Sequence, residues 1–109
     1  MEIVEKAMKD GDILAVMLFG SYARHEKFSD IDVCIIMLPK NFDALSLSKK
    51  RLEYLKDFPD YDVRIFQQLP LYIRMRVLKE GKIIFCRDED ALYDLAMKTV
   101  REFEYFEPV

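Results

Sequence analysis

A chain of 109 residues with 17 Lys and Arg against 20 Asp and Glu, net charge −3, lacks the basic surplus by which proteins grip long nucleic acid. Its 51% hydrophobic and 34% charged residues are the balance of a soluble folded protein. One domain over residues 1–109 is expected, able to bury roughly 65% of its unfolded surface. No apolar run approaches the roughly 20 residues of a membrane span, and Met1 to Asp10 lacks the apolar centre of a secretion signal, so a cytoplasmic location is expected. Cys34 and Cys86 stand in apolar runs without a CxxC or Cys/His cluster, which predicts two reduced thiols.

In chain order, Ile3, Val4, Ala7 and Met8 fall on one side of a short helix over residues 1–9, stopped by Asp10-Gly11. Residues 13–19 are an almost unbroken apolar run, too short for a typical helix, and predict a buried strand. Gly20-Ser21 opens a brief helical turn through Arg24. A second strand is predicted over residues 30–38, with polar residues on one face only at its start, and Pro39 ends it. Asn41 or Asp43 caps a helix to about Lys56, with Leu45, Leu52 and Leu55 near one face. Residues 61–67 predict a third strand in which Asp62, Arg64 and Phe66 share one face and Val63 and Ile65 the other.

Pro70 suits the start of a helix that Gly81 closes, residues 82–86 form a fourth strand, and Asp88 caps a final helix to about Tyr105. On that helix Leu92, Ala96, Val100 and Phe103 make one stripe. Tyr93, Met97 and Tyr105-Phe106 add apolar surface that either packs on the sheet or meets a partner. The basic clusters at Lys49-Lys50-Arg51 and at Arg74, Arg76 and Lys79 read as solvated faces. Alternating helices and strands, with no repeat or linker, define an α/β class: a small mixed sheet flanked by helices.

The chemistry concentrates in residues 20–32. Asp30 and Asp32, two apart on a strand, point the same way with Cα atoms roughly 6.5 to 7 Å apart. Like charges that close repel unless a cation sits between them, and hard divalent cations such as Mg²⁺ select oxygen ligands. An Asp-x-Asp alone is ordinarily a solvated face. Here it follows a Gly-Ser turn, where glycine admits a ligand to the backbone and a helix start aims unpaired N–H groups at an anion.

Gly20-Ser21, Arg24 and Ser29-Asp30-Ile31-Asp32 resemble the signature of the DNA polymerase beta-like nucleotidyltransferases, G-S-x-A-R followed by a short loop and S-D-x-D. The size resembles the minimal nucleotidyltransferases of that superfamily. The likeness covers about residues 1–87, and its specific motifs lie in residues 20–32 and at Asp62. It implies the polymerase beta-like fold, a third carboxylate at Asp62, two Mg²⁺ ions held by Asp30, Asp32 and Asp62, and a nucleoside triphosphate substrate, ATP above all. Gly20 and Ser21 would then hold the β- and γ-phosphates. Arg24 would either neutralise the triphosphate or anchor its loop.

His25 stands where the family usually has glycine, and the loop before Ser29 is short. His25 itself reads as an exposed loop residue, Asp62 has the alternative role of a surface carboxylate paired to Arg64, and Tyr22 either lies beside the nucleotide or packs on the first helix. Minimal nucleotidyltransferases of this type are often antitoxins that adenylylate a helical HEPN toxin, so the resemblance implies AMP transfer to a HEPN-type partner. Two alternatives stand beside it: a non-catalytic antitoxin that inhibits by contact, and an antibiotic-modifying nucleotidyltransferase, which normally needs an added domain. A homo-oligomer is left open.

Overall fold

The computed structural model describes residues 1–19 and 31–106. Its elements are α1 (Glu2–Lys9), β1 (Ile13–Phe19), β2 (Ile31–Met37), α2 (Ala44–Asp57), β3 (Tyr61–Ile65), α3 (Leu71–Glu80), β4 (Lys82–Cys86) and α4 (Glu89–Phe106). The sheet order is β3-β2-β1-β4. β1 lies antiparallel to β2 and β4, whereas β2 and β3 are parallel. A parallel pair needs a crossover, which α2 supplies.

Alternation along the strands sorts the core into two layers. Val16, Leu18, Val33, Ile35, Met37, Val63 and Ile65 pack with Ile3 and Ala7 of α1 and Leu47 and Tyr54 of α2. Met17, Cys34, Ile36 and Phe66 pack on the other face with Val77 of α3 and Leu92 of α4. A sheet buried on both faces explains the nearly continuous apolar runs of β1 and β2. Cys34 is buried, which pushes its thiol pKa up, and both cysteines are free.

Several local signals act as the sequence suggests. Asp43, rather than Asn41, caps α2, its Oδ1 accepting from the Ser46 amide at 2.7 Å. Asp88 Oδ1 accepts from the Ala91 amide at 3.1 Å at the start of α4. Gly81 ends α3 where the chain passes close to β1. A β-carbon there would run into the backbone carbonyl oxygen of Val77, closer than packing allows, and would lie 2.9 Å from Met17 Cε.

Three expectations are corrected. The third strand ends at Ile65, and residues Phe66–Gln68 form a 3-10 turn. Gln67 compensates: its Nε2 donates to the Met37 carbonyl at 2.9 Å and its Oε1 accepts from the Met37 amide at 3.1 Å. Second, of Leu45, Leu52 and Leu55 only Leu55 packs against the core; Leu45 and Leu52 are exposed, and Leu47 and Tyr54 are buried in their place. Polar contacts set that rotation. Tyr54 turns inward because its hydroxyl reaches Asp10 Oδ2 at 2.9 Å, beside Lys50 at 3.0 Å from the same oxygen, while Arg51 Nε donates to the Val63 carbonyl at 2.8 Å. Third, the most buried stripe of α4 includes Leu92 and Thr99, whereas Ala96, Val100 and Phe103 are only half-buried. Thr99 tolerates burial because its hydroxyl donates to the Leu95 carbonyl at 2.9 Å.

Asp10 and Arg87 tie α1 to the rest. Arg87 Nη2 donates to the carbonyls of Ala7 (2.8 Å), Met8 (3.0 Å) and Asp10 (3.1 Å), placing a cation at the negative end of α1. Burial alone would raise the Asp10 pKa. Hydrogen bonds from Lys50, the Asp12 amide and Tyr54 outweigh that and hold it below the ordinary carboxylate value. A lowered folded pKa stabilises the fold above the unfolded value, and that contribution is lost as pH falls through the folded pKa. Thermal melts from neutral pH down to about pH 2 are therefore expected to fall more steeply below about pH 4 in wild type than in Asp10→Asn, which has no proton to gain. Equal acid slopes would remove Asp10 from the acid response.

Candidate active site

Asp32 of β2 and Asp62 of β3 are register partners. Paired residues of a parallel ladder project to one face from strands about 4.8 Å apart, so the two carboxylates stand side by side at the N-terminal ends of both strands. They share the face that buries Cys34, Ile36 and Phe66 farther along. Both are half-buried, lying at the rim where that packing stops. Phe19, the last residue of β1, pairs with Asp32 across the antiparallel ladder, so β1 ends at the rim where β2 begins.

Arg64, two residues beyond Asp62 on the same face, places Nε 3.2 Å from Asp62 Oδ1. The pair is 49% and 37% exposed, which makes it a solvent-screened contact contributing about 0–1 kcal/mol. Asp32 and Asp62 are thus brought together as the sequence reading expects, and the Arg64 contact foreseen for Asp62 also exists. Gly20, Ser21, Arg24 and Asp30, with Tyr22 and His25, lie outside the described residues. Among the described residues no group of three His, Cys, Asp or Glu has metal-site geometry. The donor chemistry of Asp32 and Asp62, hard carboxylate oxygens from adjacent strands, fits a cation such as Mg²⁺.

A cleft of about 310 Å³ along the outer edge of β3 escaped the sequence reading. Ser48, Arg51 and Leu52 of α2 line it with Arg64 of β3 and Gln68 and Leu69 beyond, so it wraps the outer edge of the strand that carries Asp62. Arg51 belongs to a basic cluster read as a solvated face. Its hydrogen bond to Val63 instead satisfies an edge carbonyl, a contact between helix and strand that no local pattern announces. A groove of about 470 Å³ lies at the opposite end of the strands, between the β2–α2 loop and α4. The basic residue of the second cluster that lines it, Arg74, is engaged by Glu102 at 3.6 Å and by the Leu69 carbonyl at 3.1 Å.

This fold and rim define a class. Residues 1–90 match the profile of the family described as Polymerase beta, Nucleotidyltransferase, and the chain belongs to that family. Among its relatives is the Methanocaldococcus jannaschii protein MJ1547, described as a candidate protein adenylyltransferase, 39% identical over 75 residues. The alignment takes in 67% of this chain and 56% of that protein, so the chain spans little more than half the length of this curated relative.

Solved structures share the architecture. A toxin–antitoxin structure with AMP-PNP superimposes with a TM-score of 0.69 at 19% identity, covering 95% of this chain and 86% of that one. A tri-AMPylated Shewanella oneidensis HEPN toxin in complex with MNT antitoxin gives 0.65 at 18% identity, covering 95% and 83%. At such identity the likeness is one of fold, which is the polymerase beta-like nucleotidyltransferase fold. No described helix is long and apolar enough to cross a membrane.

Proposed function

We propose that the chain is a metal-dependent nucleotidyltransferase that transfers AMP from ATP to a HEPN-type toxin, for which it is the antitoxin. The observation that carries this reading is the register pairing of Asp32 with Asp62 at one rim, within the stretch that matches the family. The adenylyltransferase description of MJ1547 and the toxin–antitoxin setting of the structural neighbours support the choice of AMP and of a protein acceptor.

Asp30, Asp32 and Asp62 would hold Mg²⁺, which when bound offsets the negative charge that develops on phosphoryl oxygens. Gly20 and Ser21 bind the β- and γ-phosphates, and Arg24 counters their charge. A hydroxyl oxygen of the acceptor attacks the α-phosphorus, the bond to the pyrophosphate oxygen breaks, and pyrophosphate leaves. Asp62, on the outer strand of the carboxylate pair, receives the hydroxyl proton. The acceptor is left carrying AMP in a phosphodiester.

The Asp62–Arg64 ion pair, which already engages the third carboxylate, favours a second reading in which the chain inhibits by contact alone. Turnover separates the two. With Mg²⁺, labelled ATP and a co-expressed HEPN-type partner, wild type is expected to leave label on the partner, and Asp30→Ala combined with Asp32→Ala to abolish it without unfolding the chain. If wild type labels the partner with none of the four nucleotides, yet suppresses the toxin as well as the double variant does, the contact reading replaces the catalytic one.

A further inference from the structure

We propose that the acceptor protein docks on the outward face of α2 and the adjoining edge of β3, presenting an acidic surface with an apolar side chain to it. This rests on the reading that the acceptor is a protein.

The stripe is defined by helical spacing. Leu45, Lys49, Leu52 and Lys56 recur at intervals of four, three and four, which places them on one face of α2. Leu45 is 63% exposed and Leu52 62%. Two leucines one heptad apart on the solvent side of one helix form a patch rather than a scatter, and the lysines flank it.

Charge names the occupant. The carboxylates of α2 turn toward α1, away from the leucine stripe: Glu53 lies 3.2 Å from Lys6 Nζ of α1, and Asp57 also pairs with Lys6. Lys50, on the packed side, is neutralised by Asp10 at 3.0 Å and Asp12 at 3.4 Å. Lys49 and Lys56 make no ion pair among the described residues, and Arg51 and Arg64 line the cleft at the β3 edge. A chain of net charge −3 therefore sets Lys49 and Lys56, with no ion pair among the described residues, and Arg51 beside them, around two exposed leucines. Such a face complements an acidic partner and repels a basic one.

The face is also continuous with the chemistry. Ser48, Arg51 and Leu52 line the same cleft as Arg64, and Arg64 touches Asp62. α2 packs on the sheet face opposite Asp62, so a protein seated along it reaches that carboxylate around the β3 edge, past Arg64. Tyr93 and Tyr105 of α4 are exposed as well, at 66% and 83%, but that helix carries Glu89, Asp90, Asp94 and Glu104 and contributes nothing to the cleft.

Calorimetric titration of a purified HEPN-type partner tests this without turnover. Leu45→Ser with Leu52→Ser, and separately Lys49→Glu with Lys56→Glu, are each expected to weaken Kd at least about tenfold. Raising salt from about 50 to about 200 mM should weaken wild type and hardly affect the charge-reversed protein. Tyr93→Ser with Tyr105→Ser should leave Kd unchanged. All six positions are exposed, so melting temperatures near that of wild type verify folding.

Undiminished affinity in both α2 variants, a loss confined to the α4 variant, or no binding by wild type would overturn the docking site. If wild type binds through α2 but transfers no label, docking stands and adenylyl transfer falls. If both α2 variants bind and label the partner as wild type does, the reverse holds.

Discussion

Asp62→Asn is expected to lower label transfer to the partner by about 10²- to 10⁴-fold, the range by which a positioned proton acceptor contributes to a reaction. The amide keeps the shape of the carboxylate and removes its charge and its capacity to take the proton. Stability should hardly move, because the ion pair that Asp62 forms with Arg64 is open to solvent on both sides. Single-turnover transfer with saturating ATP, measured beside a thermal melt, checks both statements. Undiminished transfer would return Asp62 to the role of a surface carboxylate paired with Arg64 and leave Asp30 and Asp32 to carry the reaction.

The largest expected loss of stability belongs to Tyr54→Ala. The ring is fully buried between α2 and the sheet, stands 6.5 Å from Phe58, and holds Asp10 through its hydroxyl. Truncating a buried aromatic costs about 3–5 kcal/mol, a large share of the 5–15 kcal/mol by which domains are stable. Tyr54→Phe keeps the ring and deletes one hydrogen bond to a charged group, for about 1.5–3 kcal/mol. Denaturant melts should rank wild type, Phe and Ala in that order. A Phe variant as unstable as the Ala variant would mean that the hydroxyl, and not the ring, holds α2 in place.

What the sequence made legible follows from the range of the forces involved. Strand and helix positions rest on local periodicity, and the caps at Asp43 and Asp88 act within three residues of themselves, so they could be read directly. The shared face of Asp32 and Asp62 was reachable because the motif and the alternation of β3 each place a carboxylate at a strand start. The rotation of α2 was not. Its three leucines look like a core stripe, yet Asp10, 44 residues before Tyr54, turns Leu47 and Tyr54 inward and leaves Leu45 and Leu52 exposed. The cleft at the β3 edge was hidden for the same reason, since Arg51 meets Val63 only once the crossover has formed.

The amide of Gln67 stands in for a strand residue after the backbone of β3 has turned away, adding one more rung between β2 and β3 at the end opposite the carboxylates. Both of its bonds go to one residue, Met37, so they hold for a single alignment of the two strands. A slip of one residue would carry Asp62 to the far side of the sheet and leave Asp32 alone. Gln67 therefore works as a vernier stop for the carboxylate rim: a side chain five positions from Asp62, at the far end of the strands, keeps two carboxylates level with each other.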